Sequence, residues 1–123
     1  MQSDDRPCGI LVVDDNDDIR EMVKTTLEAA GYAVSVAADG VSGLAFFQQN
    51  RLAVALLLTD VAMPQMNGLE LADRVLDLDN QLPILFMSGA DVAADRGYGC
   101  VAKPFQGSEL IARVGVALQR LAA

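Results

Sequence analysis

A chain of 123 residues, 52% hydrophobic and 21% charged, holds enough apolar material for one domain with a real core, which argues against intrinsic disorder and leaves little room for a second domain. Seventeen acidic against nine basic side chains give a net charge of -8, so direct nucleic acid binding or attachment to an anionic membrane, which need clustered Lys and Arg, are not expected. No residue is histidine, which removes His-based triads, imidazole metal sites and a phosphohistidine carrier role within these residues.

Strand-like apolar runs alternate with stretches of helical period. Residues 9–13 (GILVV) read as a short buried strand. A helix follows over 16–30, with Ile19, Met22, Val23, Thr26, Leu27 and Ala30 on one face and Gly31 placed to end it. Residues 33–37 form a second strand, Asp39-Gly40 a turn, and 41–50 a helix with Val41, Leu44 and Ala45 inward. Phe46 and Phe47 are adjacent, so at least one sits at the edge of that face. The run 54–59 (VALLLT) suits a central strand covered on both faces, and Asp60 follows it directly. Residues 68–78 are helical with Leu71, Ala72, Val75 and Leu78 inward; 83–87 form a fourth strand and 99–102 a short fifth. A last amphipathic helix over 108–121 buries Leu110, Ile111, Val114, Leu118 and Leu121. This alternation predicts an α/β domain built on a parallel sheet with helices on both faces.

Cys8 and Cys100 are far apart, with no CxxC pair, and are expected to be reduced thiols. The polar, acidic segment 1–7 is unlike a signal peptide, and the longest apolar run, 52–58, is too short to cross a bilayer. A cytoplasmic location is expected.

Ligands of an open parallel sheet bind at the carboxyl ends of its strands. There the first strand meets Asp14-Asp15, the third Asp60, the fourth Ser88, and the fifth Lys103-Pro104. An acidic residue after a strand is ordinarily a loop residue or a helix cap, yet here the whole set falls at strand ends. Three clustered carboxylates oppose their own ionisation, and with Lys103 returning one positive charge a divalent ion would bring the sum to zero. Hard oxygen ligands with open water positions suit Mg2+ or Mn2+ better than zinc. A free carboxylate beside such an ion is a ready nucleophile for in-line displacement at phosphorus.

Asp14-Asp15, Asp60 with Met63-Pro64 and Asn67-Gly68, Ser88-Gly89 and Lys103-Pro104-Phe105 together resemble the receiver domain of two-component response regulators, over essentially the whole chain from Cys8 onward. The resemblance implies a flavodoxin-like, doubly wound five-stranded parallel sheet of order 2-1-3-4-5. It implies that Asp60 accepts a phosphoryl group from a phosphohistidine on a sensor histidine kinase or histidine phosphotransfer protein. It further implies that Asp15, Asp60 and the Ala62 main-chain carbonyl ligate Mg2+, with Asp14 assisting through water. Lys103 would pair with a phosphoryl oxygen, Ser88 would move to hydrogen-bond the phosphoryl group, and a cis bond is implied before Pro104. The domain would act as a phosphoacceptor switch rather than as an enzyme with turnover.

Several positions depart from that family's pattern. Cys100 stands where receivers usually carry the switch aromatic, and Tyr98 is two residues out of register with it. Only fourteen residues separate Ser88 from Lys103, about two helical turns fewer than usual, so the segment 91–99 holds at most a shortened fourth helix. Ala62 and Ala90 occupy the two variable positions that tune phosphate lifetime in the family. Asp17, Asp18 and Glu21 read as favourable charges in the first turn of a helix. A haloacid-dehalogenase-type phosphohydrolase shares the strand-end Asp, Ser and Lys logic, but wants a second acid two residues after its nucleophile, where Asp60 has Ala62. A receiver-like binding module that is never phosphorylated is the third reading. With no effector domain among these residues, either a stand-alone receiver or a part of a longer protein such as a hybrid kinase is expected.

Overall fold

The computed structural model describes residues 9–88 and 99–122. Five strands, β1 (Gly9–Val13), β2 (Ala33–Ala37), β3 (Leu56–Asp60), β4 (Ile84–Ser88) and β5 (Gly99–Ala102), form one sheet of order β2-β1-β3-β4-β5, and every pairing is parallel. Among the described residues, four α-helices lie between or after them: α1 (Asp17–Ala29), α2 (Gly40–Gln49), α3 (Gly68–Leu78) and α4 (Gly107–Ala122). The segment in which a shortened fourth helix was expected, with Ala90 and Tyr98, lies outside the described residues, as does Cys8.

Strand alternation divides the core into two layers. On one face Leu11, Val13, Leu57, Ile84 and Phe86 pack against Phe47 of α2 and Leu71, Ala72 and Val75 of α3. On the other, Ile10, Val12, Leu56, Leu58, Leu85 and Met87 pack against Val23 and Leu27 of α1 and Leu110 and Val114 of α4. β1, β3 and β4 are buried at every residue, as their unbroken apolar runs require, whereas β2 is an edge strand and is partly exposed along most of its length, only Ala37 being buried.

Three expectations are corrected. In α1 Met22 is 40% exposed and Ala30, the C-cap, is exposed, leaving Val23 and Leu27 as the buried pair. In α2 Val41 and Ala45 point outward, and the buried face is Gly40, Gly43 and Phe47, with Leu44 and Phe46 half-buried beside it. The reason is close approach: a Cβ on Gly43 would sit 2.8 Å from Val13 Cγ2, so the helix lies on β1 through a residue with no side chain. The third strand runs 56–60 rather than 54–59, and the fourth 84–88 rather than 83–87. A turn of 3-10 helix at Arg51–Ala53 delays β3, and the Pro83 carbonyl accepts from Leu57 N without Pro83 entering the ladder. Both shifts carry a polar residue, Asp60 or Ser88, into the last position of its strand. Among the described residues no helix is long and apolar enough to cross a membrane.

Candidate functional site

The carboxyl ends of β1, β3, β4 and β5 converge because the strands run parallel in register. Val13 pairs with Thr59, Asp60 with Met87, and Ser88 with Ala102. The residue after β1, the last residues of β3 and β4, and the residue after β5 therefore line one edge of the sheet. These are Asp14, Asp60, Ser88 and Lys103.

Asp14 is fully buried and held at several points. Its backbone N–H donates to the Ala37 carbonyl at 3.2 Å, and its Oδ1 accepts from the Asn16 N–H at 2.9 Å. Its Oδ2 lies 3.3 Å from Lys103 Nζ. Asp15, one residue on, is exposed. Asp60 is 8% exposed; its Oδ1 accepts from the Val61 N–H at 2.9 Å and lies 3.3 Å from Lys103 Nζ. The ammonium thus bridges two carboxylates. One carboxylate oxygen from each of Asp14, Asp15 and Asp60 falls within 4.8 Å of the others. Burial raises the Asp60 pKa above the ordinary carboxylate value and the Asp14 charge raises it further, against the opposing pull of Lys103 and the Val61 N–H.

Ser88 is buried at the end of β4, and its carbonyl accepts from the Lys103 N–H at 2.9 Å, which ties the end of β4 to the start of the Lys103 loop. The Lys103–Pro104 peptide is cis, as the resemblance implies. Ala62 lies exposed in the loop between β3 and α3. That loop is closed at its base, where the Gly68 N–H donates to the Val61 carbonyl at 2.9 Å. A Cβ on Gly68 would come 2.1 Å from the Asp60 carbonyl oxygen, so only glycine allows α3 to start this close to the acidic residue. Asn67 caps α3 in a reciprocal box with Glu70. Cys100 is half-buried, pairs in register with Phe86 and packs against the α2/α3 core.

The three carboxylates and Lys103 are brought together as the sequence predicts. Sequence reasoning missed the groups that hold them: the Asn16 N–H on Asp14, the Thr59 hydroxyl donating to the Asp60 carbonyl at 2.9 Å, and Arg20, whose Nη1 donates to the Asp14 carbonyl at 2.8 Å. The first was legible, since an Asp two residues before a backbone donor is an ordinary Asx turn. Arg20 was not, because it lies six positions on from Asp14, across the join between β1 and α1, and the contact exists only once α1 is placed against the end of β1.

Comparison with known proteins places this geometry in context. The family model for the response regulator receiver domain matches residues 10–115. Response regulator MprA of Mycobacterium sp. (strain KMS) is 37% identical over 121 residues, which cover 93% of this chain and 52% of MprA. The transcriptional regulatory protein CseB of Streptomyces avermitilis is 37% identical over 118 residues, 90% of this chain and 49% of CseB. The chain therefore spans about half the length of these curated relatives. Among solved structures, the chemotaxis protein CheY4 of Vibrio cholerae superposes with a TM-score of 0.83 at 32% identity, covering 90% of this chain and 98% of the other. A CheY-like receiver domain protein of Methanospirillum hungatei JF-1 gives 0.86 at 26% identity, covering 94% and 97%.

Proposed function

The chain belongs to the response regulator receiver domain family of two-component signalling, and from that premise we propose that it is a switch thrown by phosphorylation of Asp60. The observation that carries the reading is the meeting of Asp14, Asp15, Asp60 and Lys103, residues remote in sequence, at one edge of the sheet.

An Asp60 carboxylate oxygen would attack the phosphorus of the donor, forming the O–P bond of an acyl phosphate as the donor's P–N bond breaks. The leaving imidazole takes up a proton. None of the 123 residues is histidine, so the imidazole comes from outside them, and a sensor histidine kinase or a histidine phosphotransfer protein would supply it. Lys103 Nζ, 3.3 Å from the attacking carboxylate, is placed to hold a phosphoryl oxygen once that oxygen takes over the negative charge. Ser88 would donate its hydroxyl to the phosphoryl group from the end of β4.

The donor set fits a hard divalent cation: three carboxylate oxygens within 4.8 Å of one another, one of them on a residue open to solvent. Asp14, Asp15 and Asp60, with the Ala62 main-chain carbonyl, would hold Mg2+, or Mn2+ in its place. Bound there, the ion supplies positive charge for the transferring phosphoryl oxygens. Incubation with acetyl phosphate and Mg2+, followed by intact-mass measurement, tests the reading. One phosphoryl group per chain is expected, abolished by EDTA and by Asp60→Asn. Labelling that persists in Asp60→Asn would remove Asp60 from the role, and multiple turnover of p-nitrophenyl phosphate would favour a phosphohydrolase instead.

A further inference from the structure

We propose that Arg20 is a positioning residue for the metal-binding loop, setting the affinity of the acidic site for Mg2+ without touching the ion; this rests on the metal reading given above. Asp15 is the exposed member of the acidic trio, and no hydrogen bond or ion pair holds its carboxylate among the described residues. Its place over Asp60 therefore depends on the backbone on either side of it. Both sides are tied. On one, the Asp14 carbonyl accepts from Arg20 Nη1 at 2.8 Å; on the other, the Asn16 N–H donates to Asp14 Oδ1 at 2.9 Å.

Arg20 is itself well anchored. Its backbone N–H donates to the Asn16 carbonyl at 3.0 Å, in the first turn of α1, and its guanidinium pairs with Asp17 while its side chain is only 19% exposed. The residue thus clasps the helix start at Asp17 to Asp14, the residue after β1, across Asp15 and Asn16, which lie between them. A guanidinium suits this task because its planar fork serves a carbonyl and a carboxylate at once, which a single ammonium does less well.

Charge and position act in opposite directions here, and this makes the role testable. Removing a cation from the neighbourhood of an acidic pocket would by Coulomb's law alone tighten Mg2+ binding. Loosening the loop that carries Asp15 weakens it, and loss of such supporting groups around a metal ordinarily costs on the order of tenfold in affinity. The experiment is calorimetric titration of the whole chain with MgCl2, comparing the native protein with Arg20→Ala and Arg20→Lys, with circular dichroism to establish folding. The expected result is a Kd raised about tenfold in Arg20→Ala and partly restored in Arg20→Lys, which keeps a donor for the Asp14 carbonyl. An unchanged or lower Kd in Arg20→Ala, or a Lys variant as weak as the Ala variant, would overturn the proposal. If Arg20→Ala fails to fold, Arg20→Lys decides: a Kd raised threefold or more supports the role and an unchanged Kd refutes it. A native chain that takes up no Mg2+ would instead overturn the metal reading, and this proposal with it.

Discussion

Asp60→Asn should make the protein more stable in the absence of divalent cations, although it removes an ion pair. The Asp60 carboxylate faces Lys103 at 3.3 Å, an attraction of about 5 kcal/mol at an effective dielectric constant of 20. It also faces the buried Asp14 carboxylate within 4.8 Å, a repulsion of about 3.5 kcal/mol on the same scale. Exposed Asp15 adds about 1 kcal/mol of water-screened repulsion. The pair interactions nearly cancel, so the cost of desolvating the carboxylate decides the sign, and burial is the leading cause of the raised Asp60 pKa. Asparagine keeps an acceptor for the Val61 N–H, and Lys103 keeps Asp14 as its partner. A net gain of about 1–2 kcal/mol follows, the scale on which a poorly compensated buried polar group destabilises a fold.

Urea unfolding in EDTA should show this as a midpoint raised by about 0.5–1 M. Mg2+ at tenfold its Kd would stabilise the native protein by about 1.4 kcal/mol and the variant by less, so the gap closes. The pH dependence has a fixed sign. Because the folded pKa lies above the unfolded 3.8, the native state binds more protons between those values, and Asp60 lowers stability as pH rises through that window. The variant's advantage is therefore complete above the raised pKa and absent below 3.8. An Asp60→Asn protein less stable than the native chain in EDTA, or equally responsive to Mg2+, would refute the reasoning.

Gly68→Ala places a methyl group 2.1 Å from the Asp60 carbonyl oxygen, so it should cost about 1–3 kcal/mol in urea unfolding and shift the Asp60 amide resonance. Lys103→Ala should fold, yet lose most of its conformational response to beryllofluoride; NMR shifts like those of the native protein would contradict the role given to Lys103. Asp39 caps α2, and hydrogen bonds from the Ser42 backbone and side chain hold its pKa below 3.8. The stability it supplies is present above 3.8 and lost as pH falls through the lowered value, so Asp39→Ala should weaken the neutral protein and flatten its acid-unfolding curve.

The site was legible because its chemistry lies at strand ends, and strand ends are announced by apolar runs. GILVV and LLLT, short apolar runs alternating with stretches of helical period, read as interior strands, and the polar residues that follow them are thereby placed. The inner face of α2 was not legible. Periodicity weighs apolar side chains, and that helix meets the sheet through Gly43, which has none, while the apolar Val41 is 52% exposed. Met22 misled in the same way, since α1 spends its contact area on Val23 and Leu27, leaving the next residue around the helix at the rim. Strand boundaries moved by one or two residues because a turn of 3-10 helix and a proline, neither visible as a change in hydrophobicity, decide where the ladder begins. The Arg20 clasp depends on tertiary geometry alone.

The central strands have no slack. β1, β3 and β4 are each five residues long and buried throughout, and successive side chains enter opposite layers. One extra residue inside 56–60 would exchange the occupants of the two layers and throw Asp60 out of step with Asp14, destroying core and chemistry together. An insertion in the exposed turn at 51–53, at the far end of β3, lies away from the acidic edge and leaves the step between Asp60 and Asp14 to be set within the strand itself. Tolerance to insertions and deletions should therefore be graded along each strand, vanishing toward the acidic edge, and a library of single-residue insertions would trace the outline of the site without any phosphate being added.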